Sequence, residues 1–233
     1  MSTVPSNTPP SSPLPSGATL AGFYTGARAR VTELVAGLGD TALATPTAAC
    51  PGWSVADVVA HLAAVAEDVV AGRLTGPPSD EQTAAQVARF RGQPIGAVLA
   101  AWEVAAPGVE EAIASFDVWP AVLDAVAHEQ DIRGTLGRPG GRDGPDVWAG
   151  SERMLRALAP PVPMRVTCED LDITVGPEGA NPLELRTTRF EALRWRLGRR
   201  SRAQMAAFDW SGDPEPVLDH LVIFGPAASD ILE

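Results

Sequence analysis

From Leu20 to Leu136 the apolar residues of this chain recur at helical spacing, and beyond about residue 150 they do not. That change of period is the strongest constraint on the fold, because a stripe at i, i+3, i+4 and i+7 buries itself as one face of a helix. Leu20, Tyr24, Ala27, Val31, Leu34 and Leu38 make the first stripe. A Pro-punctuated loop, "TPTAACPGW", follows it. Ser54 then reads as an N-cap with Asp57 three residues later, a variant of the capping box. Val55, Val58, Val59, Leu62, Val65 and Val69 make the second stripe. "GPPSDEQ" ends that helix and begins another, and "PIGAVLAAWEVAAPGVEEAIASF" predicts a further one with Pro107 as a kink site. The last long helix runs from about Pro120 to Leu136 and stops at Gly137 and Pro139.

The remainder has a different texture. "MRVTCEDLDITVGP" and "PLELRTT" are rich in β-branched residues and partly alternate, so both predict strands. "RFEALRWRLG" and "SRAQMAAFDW" predict short helices separated by a basic turn. The expected organisation is therefore an all-α domain over 18–150 and a smaller α/β domain over 151–233. Residues 1–17, rich in Ser, Pro and Thr, read as a disordered tail.

Composition narrows the function classes. Net charge is −11 and the longest basic tract is "GRRSR", which argues against a phosphate-neutralising surface and hence against nucleic acid. An anionic surface also disfavours acidic membranes, and no apolar run reaches a membrane span. The N-terminus lacks the basic and apolar regions of a secretory signal. Cys50 and Cys168 show no pairing motif, so reduced thiols in a cytoplasmic protein are expected.

Only three histidines occur. His128 lies four residues after Asp124, a spacing that sets both on one face of a helix about 5–6 Å apart at Cβ. His61 sits on the second apolar stripe, between Val58 and Val65. Two imidazoles and one carboxylate are the donor set of catalytic zinc sites, which keep one position open. Spacing leaves a plainer reading open as well: a hydrogen-bonded core histidine and a surface Asp–His pair. His220, in "PVLDHLVIF", reads as structural. Trp53 reads as a hydrophobic lid over the helix start, and Cys50 as a residue that packs.

"CPGWSVADVVAHL" resembles the Pro-Gly-Trp signature of the mycothiol-dependent maleylpyruvate isomerase family. "VLDAVAHEQDIRGTLGRPG" and "GRRSRAQMAAFDWSGDPEP" are similar to its second and third motifs, in the same order. The resemblance implies a DinB-like four-helix bundle followed by a small sterol-carrier-like α/β domain. It implies a divalent metal, zinc by the donor set, held by His61, Asp124 and His128, with mycothiol as thiol cosubstrate. Asp124 stands where the family has glutamate, one methylene longer. The implied activity is a mycothiol-dependent isomerase or transferase acting on a small electrophile. A non-catalytic metal- or small-molecule-binding protein of the same fold is the alternative. Arg200, in "LGRRSR", is the expected clamp for a substrate carboxylate.

Overall fold

The computed structural model describes residues 13–74 and 76–233, so most of the expected tail, 1–12, lies outside the described residues. Four long helices make the principal layer: α1 (Gly17–Val35), α3 (Val55–Val70), α5 (Ile95–Phe116) and α6 (Trp119–Leu136). A short α2 (Asp40–Leu43) and α4 (Asp80–Arg89) connect them. α1 and α3 each pack on both α5 and α6, which closes a four-helix bundle around an apolar core. Leu20, Ala27, Val31, Val58 and Val59 are fully buried there, as the stripes predict. Trp102, on α5, is almost wholly buried and donates from Nε1 to the Tyr24 hydroxyl at 2.8 Å.

The start of α3 follows its sequence signal. Ser54 Oγ accepts from the Asp57 amide, and Asp57 accepts from the Ser54 amide at 2.8 Å. Ser54→Ala is expected to cost about 1 kcal/mol, read as a lower denaturant midpoint with an unchanged slope. An unchanged midpoint would show that the helix start is held by its flanking turn alone.

A seventh helix, α7 (Pro145–Arg156), was not foreseen from the sequence. It leads into β1 (Met164–Thr167), β2 (Asp172–Val175) and β3 (Leu183–Arg186), then α8 (Arg189–Arg196) and α9 (Arg202–Ala206). The expected helix over "SRAQMAAFDW" ends at Ala206, and its last two residues form the edge strand β4 (Asp209–Trp210). The four strands lie in the order β2-β1-β3-β4, with β1 and β3 parallel and the outer pairs antiparallel. Trp210 is pinned to its new course by donating Nε1 to the Met205 carbonyl at 2.9 Å.

α8 is the joint between the two layers. Ala192 and Trp195 pack on the sheet with Met164, Val166 and Leu185, whereas Phe190, Leu193 and Leu197 pack into the bundle core. One helix thus serves two cores, and its arginines are delivered against α6. No described helix is long and apolar enough to cross a membrane.

Candidate metal centre

His61 is placed by α3 and reaches inward with only 4% of its surface exposed. Asp124 and His128 come from consecutive turns of α6. His61 Nε2 lies 3.5 Å from Asp124 Oδ2, and His128 Nε2 lies 3.4 Å from Asp124 Oδ1. One donor atom from each of the three residues falls within 4.8 Å of the others. The shorter carboxylate therefore reaches both imidazoles without the glutamate's extra methylene. The two rings meet edge to face with centroids 5.2 Å apart.

These separations discriminate between a hydrogen-bonded trio and a ligand trio. Hydrogen bonds of this kind favour about 2.7–2.9 Å. Donors bound at 2.0–2.2 Å to one tetrahedral ion stand about 3.4 Å apart. The residues present fit a metal by these separations and by their donor types; His61 Nδ1, the ring nitrogen not turned to Asp124, is buried with no hydrogen-bond partner among the described residues. Asp124 is held as a carboxylate. Burial would raise its pKa, but the two histidines draw it far below the usual range.

Behind His128 stands a second group. Its Nδ1 lies 2.9 Å from Asp131 Oδ2, and Cys50 Sγ lies 3.7 Å from the same nitrogen. Asp131 also takes Arg194 Nη2 at 2.7 Å on one oxygen and Arg199 Nη2 at 2.9 Å on the other. Burial opposes its charge, yet Arg199, Arg194 and His128 keep its pKa well below normal. Burial likewise opposes protonation of His128, but Cys50, Asp124 and Asp131 outweigh it and hold its pKa well above the ordinary value. Cys50, His128 and Asp131 are close enough to suggest another metal-ligating trio. The two guanidiniums on Asp131 already neutralise it, so a cation there would face positive charge. Asp131 instead fixes the His128 tautomer and ring plane, the usual task of a carboxylate behind a ligating histidine. Glu129, the other acid beside His128, turns away and pairs with Arg30 and Arg133.

The loop before α3 covers this group. Trp53 N–H donates to the Cys50 carbonyl at 3.0 Å, and the turn passes through Gly52 at φ +85°, which a side chain would strain. The turn places the Trp53 ring 5.0 Å from His61 and 6.3 Å from His128. Cys50, read from sequence as a packing residue, is half-buried at the centre, 3.5 Å from Asp131 Oδ2. Its relation to His128 and Asp131 carried no sequence signal, since they lie 78 and 81 positions away.

Arg200, the arginine singled out from sequence, is turned away from the trio. It pairs with Glu191 at 2.6 Å and Glu233 at 3.4 Å. Its neighbour Arg199 faces the site. The exchange is set by Gly198, at φ +79°, where a Cβ would stand 2.4 Å from the Gly225 carbonyl. His220 ends a short 3₁₀ turn, is exposed, and takes no part. All three candidate ligands open onto a cleft of about 800 Å³ between α3, α6 and the Ile223–Phe224 segment.

A helical bundle carrying two histidines and a carboxylate at the floor of a cleft has the architecture in which four-helix bundles build inward-facing ligand sites. Residues 24–150, more than half of the chain, match the model of the mycothiol maleylpyruvate isomerase N-terminal domain, and the chain belongs to that family. Two crystal structures of the mycothiol-dependent maleylpyruvate isomerase share the fold at a TM-score of 0.55. One is 15% identical, over 85% of this chain and 95% of that one. The other, a histidine-to-alanine variant, is 12% identical over 78% and 88%. No curated protein matches the sequence.

Proposed function

We propose that this protein is a thiol-dependent enzyme in which His61, Asp124 and His128 hold a divalent metal, zinc by the donor set, facing the cleft. The observation that carries the reading is the convergence of the three side chains within 4.8 Å at the cleft floor. Family membership and the fold shared with a mycothiol-dependent isomerase support mycothiol as the thiol. A bound zinc lowers the pKa of a coordinated thiol, so that thiolate forms at neutral pH.

The chain's own residues prepare the site. Asp131 holds His128 with Nε2 toward the trio, and Trp53 covers both imidazoles from the solvent side. Arg199, rather than Arg200, lines the cleft beside the trio, where it is paired with Asp131. For isomerisation, the thiolate sulfur forms a C–S bond to a carbon of an activated cis double bond, and the electron pair moves onto the conjugated carbonyl. Rotation about the resulting single bond and elimination of the thiolate restore the alkene, with no net oxidation. For a transferase, protonation of the adduct ends the reaction.

The test is metal analysis of the purified protein and calorimetric titration with mycothiol, in wild type and His128→Ala. About one zinc per chain is expected, with zinc affinity falling roughly 100-fold or more in the variant and thiol binding falling with it. Metal-free protein whose thiol binding ignores the substitution would overturn the reading. Thiol and metal binding without turnover of any electrophile would leave a binding protein of the same fold.

A further inference from the structure

The cleft above the trio is polar at one end only. Beyond the three candidate ligands, Thr83, Arg199 and the Trp53 indole N–H supply its remaining polar side-chain groups among the described residues. The other walls are apolar, from Val65 and Val69 on α3 to Met154 on α7. At the mouth, Ile223 and Phe224 stand 45% and 65% exposed, a large apolar surface left uncovered.

Arg199 is the single cation of this lining outside the histidines. Its donors are largely committed: Nη2 to Asp131 at 2.9 Å and Nη1 to the Leu197 carbonyl at 2.7 Å. Arg200 is engaged elsewhere and does not line the cleft. A carboxylate seated away from the metal-ligand end would be desolvated against hydrocarbon with no partner, which costs more than the contact returns. An apolar group in the same position gains by leaving water.

We infer that the electrophile this protein takes is largely apolar, with at most one anionic group, held at the metal-ligand end, and an uncharged body along the Val65–Phe224 wall. A small dianionic acid is not its substrate. This inference rests on the thiol-dependent reading for the word electrophile, but the cleft's preference for an uncharged tail does not.

Octanoate and adipate test it. They have the same number of non-hydrogen atoms and share one terminal carboxylate, and they differ in whether the far end is apolar or charged. Calorimetry on the protein as purified is expected to give octanoate about tenfold tighter binding or more. Phe224→Ser, at an exposed position, should weaken octanoate several-fold and leave adipate unchanged, with the thermal unfolding midpoint as the check on folding. Adipate binding as tightly as octanoate overturns the inference, and so does octanoate binding that ignores Phe224→Ser. Zinc content measured on the same preparation separates the readings. Metal-free protein that still prefers octanoate removes the thiol chemistry alone, whereas zinc-loaded protein that prefers adipate removes this inference alone.

Discussion

Asp131→Ala is expected to destabilise the protein by about 3–5 kcal/mol, the usual cost of removing one partner from a buried charge pair. Asp131 is 2% exposed, and the substitution leaves the fully buried Arg194 and most of Arg199 without their shared carboxylate. Arg194 would keep Glu233 and the Ala127 carbonyl, so the loss stays below outright unfolding. Denaturant titration reads the stability. A zinc competition assay on protein that remains folded should also show a 10- to 100-fold weaker site, because His128 loses the acceptor that orients it. Asp131→Asn, which keeps an acceptor oxygen for the arginines, should recover part of the stability. If Asp131→Ala unfolds at the wild-type midpoint, the arginine network is ornamental and the account of His128 fails with it.

Trp102→Ala should cost about 3–5 kcal/mol for a different reason. The indole is 1% exposed at the centre of the bundle, and its removal leaves a cavity that α1, α3 and α5 cannot close without moving. It also strips Tyr24 of its hydrogen bond. Burial is already the main influence on that phenol and pushes its pKa up to about 12. Trp102→Phe separates the two parts, since it restores most of the volume and none of the hydrogen bond. It is expected to recover more than half of the loss, as judged by the same unfolding curves. Zinc affinity should stay near wild type in Trp102→Phe, which distinguishes a packing defect from a defect in the site.

The bundle helices were legible because each buries one continuous stripe, and Ser54 and Gly137 punctuate them as the residue types predict. α7 carried the same kind of signals, with Pro145 at its start, Asp146 in its first turn, and Arg153 and Arg156 in its last. The Gly- and Pro-rich stretch just before it, "GRPGG", carries no helical stripe of its own. His61, Asp124 and His128 could be picked out by helical spacing and by resemblance to the family. Asp131, Arg194 and Arg199 could not be joined in that way. They lie 63 and 68 positions apart and meet only because α8 is shared by two cores. Choosing between Arg199 and Arg200 was beyond sequence for a more local reason: a left-handed turn at Gly198 decides which of two adjacent side chains faces the site.

Both nitrogens of His128 face carboxylates, Nδ1 toward Asp131 and Nε2 toward Asp124. With Nδ1 held by Asp131 at 2.9 Å and Nε2 turned toward Asp124 at a spacing that suits a shared metal, this ring has, on the proposed reading, no vacant nitrogen to ferry protons between cleft and solvent. On that proposed reading, a proton released by an incoming thiol departs along the cleft itself, by water or by the incoming reactants. The residue that looks most like an acid–base catalyst in this chain is, by its anchoring, a fixed post.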